Sequence, residues 1–172
     1  MEDIKIMNLA DVPEYTEEVS RWLWQEWGKA AGYTSDELLY RTKHCMRKEG
    51  VPQTFIAFYK NRPAGVVSLW MNDLKTRQDL YPWLATLYVK PEYRCLKIGR
   101  ALQKFCIRQT ALTTEYPYLY LITEHNGYYE KTGWEFVEKV PTGTGETEKV
   151  YRFDLRKESC VKPDASNTKP VK

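Results

Sequence analysis

The stretch that decides the fold runs from residue 84 to residue 102, and it has three parts. Its first part, residues 84–90, is rich in strand-forming side chains and is ended by Pro91. Its last part begins a helix over about 98–113, because apolar residues recur there at helical spacing. A tight loop therefore joins a strand to a helix N-terminus. The stretch reads Leu84-Ala85-Thr86-Leu87-Tyr88-Val89-Lys90-Pro91-Glu92-Tyr93-Arg94-Cys95-Leu96-Lys97-Ile98-Gly99-Arg100-Ala101-Leu102.

The loop before this helix has the chemistry of an anion site. A helix N-terminus presents unpaired N–H groups and a partial positive charge, which suits a phosphate or pyrophosphate. Gly99 lets the backbone come close to a ligand, while Arg94, Lys97 and Arg100 add positive charge. An ordinary strand-to-helix turn with solvated basic side chains fits the same residues, so both interpretations stay open.

The rest of the chain predicts a mixed sheet with helices on both sides. Hairpin-linked strands in the middle favour antiparallel pairs, and the strand–helix–strand unit at 84–123 favours one parallel pair. The short helix is expected to end at Gly133. Predicted strands cover 3–9, 53–59, 64–71, 84–90, 118–123, 134–140 and 148–155, and predicted helices cover 11–27, 34–50, 98–113 and 126–132.

Length and charge indicate one neutral domain followed by a basic tail. The chain has 172 residues, which predicts a single domain over 1–155 and a poorly ordered tail over 156–172. The tail carries five of the 26 Lys and Arg and two of the 23 Asp and Glu, so residues 1–155 hold 21 of each sign. A neutral domain lacks the electrostatic footprint of a nucleic-acid-binding protein.

Cysteine, histidine and apolar residues exclude several further classes. Four Cys and two His are scattered without zinc-ligand spacing, so no metal site is expected. The N-terminus does not resemble a signal peptide, and the apolar runs near 64–71 and 117–122 are too short to span a bilayer. We expect a cytoplasmic protein with reduced thiols that binds no membrane.

Two blocks of sequence resemble motifs of one enzyme family. Residues 94–99, Arg-Cys-Leu-Lys-Ile-Gly, resemble the acyl-CoA signature of the GNAT N-acetyltransferase superfamily, Arg/Gln-x-x-Gly-x-Gly/Ala. Arg94 and Gly99 match it, whereas Lys97 stands where the family usually has its middle Gly. Residues 128–135, Tyr-Tyr-Glu-Lys-Thr-Gly-Trp-Glu, resemble the family's Leu-Tyr-Glu-Lys-x-Gly-Phe motif. The two blocks fall within residues 84–136, and the element order extends the likeness over 1–155.

The resemblance implies a fold and a donor site. It implies an α+β, three-layer GNAT-like fold, whose mixed and largely antiparallel sheet of about seven strands is splayed in the middle, with helices on both faces. The pantetheine arm of acetyl-CoA would lie in that gap against the 87–89 backbone, and N–H groups of 95–100 would hold the pyrophosphate. An N–H near Leu87 or Tyr88 would face the thioester carbonyl. The implied cofactor-binding residues are Leu87, Tyr88, Val89, Arg94, Cys95, Leu96, Lys97, Ile98, Gly99, Arg100, Asn126 and Tyr129.

The resemblance also suggests catalytic residues. Tyr129 matches the family Tyr that often protonates the departing CoA thiolate, although it can also simply pack against the sulfur. The resemblance does not identify the base that takes the amine proton. Some family members use a Glu on the strand that matches 84–90, and here that strand carries no acid. Glu124 and His125 follow the next strand and are the candidates, with surface solvation and helix capping as their structural alternatives.

The expected reaction is direct transfer of an acetyl group from acetyl-CoA to a primary amine. A small-molecule acceptor, aminoglycoside-like or polyamine-like, is the leading hypothesis by fold analogy. Acetylation of a protein or peptide, a non-catalytic acyl-CoA-binding module and an interaction protein with a degenerate site are the alternatives. Either a monomer or a homodimer is compatible with the sequence. The candidate acceptor-binding residues are Trp24, Trp27, Asn72, Asp73 and Trp83. Trp24 lies off the apolar stripe of its helix, which suits a residue that lines a pocket. Asp73 is suited to attract a cationic amine and equally to cap a turn.

Overall fold

A seven-stranded mixed sheet forms the centre of the molecule in the computed structural model, which describes residues 3–141 and 147–159. The strand order is β1-β2-β3-β4-β5-β7-β6, and every neighbouring pair is antiparallel except β4 and β5. The predicted number of strands and the single parallel pair are confirmed. The strands are β1 (Ile4–Asn8), β2 (Gln53–Tyr59), β3 (Arg62–Trp70), β4 (Trp83–Val89), β5 (Tyr118–Thr123), β6 (Glu135–Pro141) and β7 (Thr147–Asp154).

Helices cover both faces of this sheet, which gives the expected three layers. On one face α1 and α2 pack over Ile56 and Phe58 of β2, and on the other face α3 packs over Phe55 and Ala57. Burial on both faces explains why β2 reads as a continuous apolar run and does not alternate. The helices are α1 (Thr16–Leu23), α2 (Ser35–His44), α3 (Ile98–Thr113) and the short α4 (Arg156–Ser159). Within the described ranges, no helix has the length and apolar character needed to cross a membrane.

Both predicted helices before β2 are shorter than the sequence indicated. The first was predicted from Asp11, but 9–11 and 13–15 form separate 3-10 turns and α1 begins at Thr16. A π-helical turn, 24–28, follows it. The second is capped by Thr34, where the predicted helix also starts, and the structure shows that this cap is a capping box with Glu37. It ends at His44 and not near Gly50. Just after this end, the Thr54 hydroxyl donates a 2.9 Å hydrogen bond to the carbonyl of the C-cap residue, Cys45.

The C-terminal third also departs from the prediction at one element. The predicted helix at 126–132 is reduced to a 3-10 turn over Glu130–Thr132, which Gly133 ends with a φ of 91°, as expected of that glycine. Residues 142–146, which join the last two predicted strands and include the Gly- and Thr-rich turn expected there, lie outside the described residues, as do residues 160–172 of the predicted tail.

The sheet opens between β4 and β5. In the described part of the chain, these strands pair only at Trp83↔Tyr120. On its other side β4 carries a bulge, because Val66 pairs with Tyr88 whereas Ser68 pairs with Ala85. Thr86 lies in this bulge with a φ of 51°, in the left-handed region. The bulge bends β4 away from β5, and the splay implied by the resemblance is confirmed.

Candidate active site

A cavity of about 1470 Å³ starts in the gap between β4 and β5 and extends beneath α1 and α2. We call the part lined by 84–99 and 121–129 the donor half. The part lined by 23–45 and 70–76, together with Glu148, is the acceptor half. Eleven of the sequence-predicted site residues line this cavity: Trp27, Asn72, Asp73, Leu87, Tyr88, Val89, Arg94, Gly99, Glu124, His125 and Tyr129.

The loop between β4 and α3 has a backbone suited to an anion. Cys95 and Lys97 both adopt left-handed conformations, with φ values of 63° and 64°. Left-handed residues within such a loop turn neighbouring N–H groups toward one concave side. The hydrogen bonds of α3 begin with the one from the Ala101 N–H to the Lys97 carbonyl. The N–H groups of 98–100 therefore remain available to a ligand.

Basic side chains surround this loop. Arg94 lines the cavity, and its Nε donates to the Val89 carbonyl at 3.2 Å, which ties the loop to β4. Lys97 and Arg100 are exposed next to it. Lys97 holds a left-handed conformation that a glycine adopts more easily, and its side chain adds positive charge beside the loop.

Gly99 leaves space between this loop and the cavity. A Cβ built at Gly99 would lie 3.6 Å from Val89 Cγ2 and 3.9 Å from the Tyr128 hydroxyl, which are ordinary contacts. The fold itself therefore has room for a side chain here, and the free space belongs to the donor half of the cavity. The open strand edge, the exposed N–H groups, the basic side chains and this space fit the pyrophosphate and pantetheine arm of a CoA molecule.

Replacing Gly99 with Ala should weaken CoA binding without destabilising the protein. We expect the Kd for CoA to rise about tenfold, because the added methyl group fills the space beside the loop. The Tm should stay equal or rise slightly, since Ala is about 1 kcal/mol better than Gly in a helix. Calorimetric titration measures the Kd, with pantetheine as the control ligand because it lacks the pyrophosphate. An unchanged Kd for CoA would place the pyrophosphate elsewhere.

Tyr129 lies at the inner wall of the donor half. It is 7% exposed, and its ring packs against Trp134 and Tyr151 at 6.1 Å in each case. Burial raises the pKa of Tyr129 to about 12, with a further rise from Tyr128, and a hydrogen bond with the Thr123 side chain offsets part of it. The phenol therefore stays protonated over the whole neutral range, as a proton donor must.

Glu124 and His125 lie at the mouth of the cavity, just after β5. Both side chains are exposed. The backbone N–H of His125 donates to the Thr123 hydroxyl at 3.1 Å, and the Nζ of Lys149 on β7 donates to the Glu124 carbonyl at 3.2 Å. The same Nζ hydrogen bonds the Asn126 side chain. These bonds fix the backbone of 124–126 and leave both candidate bases free to face the cavity.

Aromatic and acidic side chains line the acceptor half. Trp27, which is 42% exposed, and Tyr33 contribute rings, and the Arg41 guanidinium stacks 3.9 Å above the ring of Trp70. Burial raises the pKa of Asp73 to about 6; Arg41 lowers it and Glu148 raises it by smaller amounts. A carboxylate that is costly to ionise in the free protein is suited to pair with a cationic ligand.

The model of the acetyltransferase (GNAT) family matches residues 16–134, which is more than half of the chain. This chain belongs to the GNAT acetyltransferase family. It is therefore an acyltransferase with acetyl-CoA as its acetyl donor, as the resemblance implied. The sequence has no significant match among curated proteins.

Solved GNAT structures share the fold at low identity. An aminoglycoside 6'-N-acetyltransferase from Enterococcus faecium has a TM-score of 0.66 and 16% identity over 88% of this chain and 97% of its own. Arabidopsis thaliana NAA60, in complex with a bisubstrate analogue, has a TM-score of 0.61 and 13% identity over 88% and 97%. A putative streptothricin acetyltransferase from Bacillus anthracis, in complex with acetyl coenzyme A, has a TM-score of 0.52 and 20% identity over 65% and 66%. At these identities the likeness establishes the fold alone.

Two tryptophans predicted for the acceptor site of this GNAT protein lie elsewhere. Trp24 packs against the core beneath α1, and its Nε1 donates to the Tyr33 carbonyl at 2.8 Å. Trp83 is fully buried and donates to the Leu80 carbonyl at 2.6 Å. Neither ring lines the cavity. Trp24 was predicted from its position off the apolar helix stripe, and Trp83 from its position beside a polar loop. Neither position indicates exposure, because an indole can be buried once its N–H has one carbonyl partner.

Several predicted donor residues also lie outside the wall of the GNAT cavity. The Ile98 side chain is 1% exposed in the core, so only its N–H is available to a ligand. The side chain of Asn126 hydrogen bonds the Nζ of Lys149 and does not line the cavity. The side chains of Cys95, Leu96, Lys97 and Arg100 are exposed around the β4–α3 loop and do not line the cavity.

Asn72, a predicted acceptor residue, does line the cavity, but its side-chain amide donates to the Leu74 carbonyl and so shapes the β3–β4 loop.

The sequence analysis missed several residues of the acceptor half. Arg41 and Trp70 gave no local signal, because they come together only when α2 packs across the end of β3. Glu26 and Glu148 looked like ordinary surface acids, yet both line the cavity. Thr86 also lines it, and its position at the bulge cannot be read from a strand-like sequence.

Proposed function

We propose that this GNAT enzyme acetylates a primary amine of a small, cationic molecule by direct transfer from acetyl-CoA. The observation that carries the proposal is the charge of the cavity away from the 94–100 loop. Four carboxylates line that region against the cationic side chains of Arg41 and Lys75, and aromatic rings close its sides. Such a wall attracts ammonium groups and pairs with their N–H donors. Three of the carboxylates, those of Glu26, Asp73 and Glu148, line the acceptor half, and the fourth, that of Glu124, lies at the cavity mouth.

The donor half would hold the thioester next to this acidic region. Acetyl-CoA supplies an activated acetyl group. The N–H groups of 98–100 and Arg94 would bind the pyrophosphate, and the free edge of β4 at 87–89 would bind the pantetheine amides. A backbone N–H at Leu87 or Tyr88 then stabilises the developing oxyanion. Positioning of amine and thioester in one cavity supplies the larger share of the rate.

Three proton transfers complete the reaction. An ammonium near pKa ~10.4 must lose a proton before it attacks, and Glu124 or His125 at the cavity mouth would accept that proton, directly or through water. Tyr129, protonated and buried in the donor half, would then protonate the CoA thiolate as it leaves. Burial raises the pKa of this phenol to about 12, so it carries its proton at neutral pH when the thiolate forms. The second proton lost by the attacking nitrogen, as it becomes an amide nitrogen, returns to Tyr129.

An amine panel tests the proposal. Release of CoA thiol from acetyl-CoA is followed with spermidine, kanamycin, propylamine and a peptide with a free N-terminus, and products are identified by mass. We expect kcat/KM for spermidine or kanamycin to exceed that for propylamine by about tenfold or more, because a second ammonium group meets the acidic wall. Acetylation of the peptide alone would favour a protein acetyltransferase. Binding of acetyl-CoA with no thiol release from any amine would favour a non-catalytic binding module.

A further inference from the structure

Three hydroxyl side chains form a hydrogen-bonded row across β2, β3 and β4 at the floor of the cavity. The Thr86 and Ser68 hydroxyls are 2.8 Å apart, and the Ser68 and Thr54 hydroxyls are 3.2 Å apart. The row ends where Thr54 donates to the Cys45 carbonyl at 2.9 Å. All three side chains line the cavity, although Thr54 and Ser68 are each only 1% exposed.

The end of this row fixes the direction of every hydrogen bond in it. A carbonyl can only accept, and a hydroxyl has one proton to donate. Thr54 therefore spends its proton on Cys45 and must accept from Ser68. Ser68 in turn must accept from Thr86, whose own proton is used in that bond. Toward the cavity, the Thr86 oxygen presents lone pairs alone.

The β4 bulge places this oxygen on the face of the sheet that α1 and α2 cover. Tyr88 lies two residues after Thr86, and its ring meets Trp22 and Trp27 at 6.0 and 6.3 Å on the face that α1 and α2 cover. Thr86 shares that face, because its hydroxyl reaches Ser68. A φ of 51° is unusual for a β-branched residue, so the surrounding structure holds Thr86 in place at a cost.

We propose that the Thr86 Oγ1 accepts a hydrogen bond from an N–H of the attacking amine and so directs the nitrogen lone pair at the thioester. Ser68 and Thr54 are positioning residues, which keep the Thr86 proton turned away from the cavity. The same geometry means that Thr86 does not donate to the thioester oxygen, which leaves that task to backbone N–H groups of β4. This inference rests on the proposed acetylation of an amine.

A bisubstrate probe tests the role of Thr86 without turnover. In the probe, the CoA sulfur is joined through an acetyl group to one amine of spermidine, so that an amide N–H lies where the amine nitrogen would be. Wild-type protein should bind the probe at least 10²-fold more tightly than CoA, as complementary analogues do. The variant T86V keeps the β-branched shape but has no oxygen. It should lose about tenfold in affinity for the probe, with the Kd for CoA unchanged.

Companion variants separate this role from a structural one. T86S should restore affinity for the probe to within about threefold of wild type, because the hydroxyl returns. S68A should lower it by about threefold, since the Thr86 proton can then turn toward the cavity. T110V is the matched control: Thr110 is a buried threonine on α3 that donates to the Cys106 carbonyl at 2.8 Å, so its loss should leave both affinities unchanged.

Each outcome has one meaning. A T86V variant that binds the probe as tightly as wild type overturns the assignment of Thr86 and leaves the proposed function standing. Wild-type protein that binds CoA and the probe equally overturns the amine acceptor itself, and the Thr86 inference with it. A parallel loss of affinity for the probe and for CoA in T86V indicates a distorted strand and also overturns the assignment.

Discussion

The variant Tyr129→Phe should turn over acetyl-CoA and its acceptor amine at least 10²-fold more slowly than wild type. General acid catalysis by a positioned side chain contributes about 10²- to 10⁴-fold, and this substitution removes the donated proton while keeping the ring. The ring packs against Trp134 and Tyr151 in the core, so its retention preserves the fold. Initial rates of thiol release measure turnover, and calorimetry should give an unchanged Kd for acetyl-CoA.

Tyr151→Phe is the matched control for this prediction. Tyr151 donates to a Glu130 carboxylate oxygen at 2.6 Å and does not line the cavity, so losing its hydroxyl should change turnover by less than about threefold. Tyr128 is the competing candidate, since its ring lies 4.9 Å from that of Tyr129 and it lines the same cavity. A 10²-fold loss in Tyr128→Phe, with Tyr129→Phe near wild type, would move the acid role to Tyr128.

Local sequence signals predicted the framework of this site well. The strand and helix on either side of Arg94 follow from residue type and apolar spacing, and the capping box at Thr34 follows from four residues of sequence. Gly133 ends its 3-10 turn in the left-handed region, as a glycine after a short helix is expected to do. Such features depend on neighbours within a few residues, so a single sequence contains the information.

The acceptor half depended on long-range packing and was predicted only in part. Arg41 contacts Trp70, which lies 29 residues later in the chain. The Cys45 carbonyl just after α2 accepts its hydrogen bond from Thr54 on β2, a contact that local sequence does not reveal. The helical pattern alone therefore extended α2 too far. Trp83 was predicted for the acceptor site because it lies next to a polar loop in the sequence. In the structure it is fully buried and packs against Leu74 and Leu80 of that loop.

Asp73 links the stability of the protein to its proposed function. Burial raises the pKa of its carboxyl group to about 6, so the folded state holds a proton there that the unfolded state releases near pH 4. The free energy of unfolding therefore contains a contribution from Asp73 that is fully present below about pH 4. This contribution is lost as the pH rises toward 6, because the charged form is disfavoured in the folded state.

Asp73→Asn should therefore stabilise the protein at pH 7 while impairing the acceptor reaction. We expect a Tm gain of about 2–4 °C, the shift that 1 kcal/mol produces in a chain of this size. The gain should shrink as the pH falls from 6 to 4, where wild-type Asp73 becomes neutral. In the same variant kcat/KM for spermidine should fall by about tenfold at pH 7, because the paired charge is gone. Calorimetric melts across pH 4–8 and initial rates measure the two effects.

Asp79→Asn separates this coupling from a general effect of removing an acid from the β3–β4 loop. Asp79 is exposed, and hydrogen bonds from Arg77 lower the pKa of its carboxyl group to about 2, the opposite direction to Asp73. Its replacement should leave kcat/KM unchanged and give no gain in Tm, because a favourable partner is lost.

Wild-type kcat/KM for spermidine should rise with pH through about 6, and that rise should vanish in Asp73→Asn. A Tm difference that does not vary with pH would show that Asp73 does not titrate near 6. An intact rise of kcat/KM in the variant would show that Asp73 does not meet the amine.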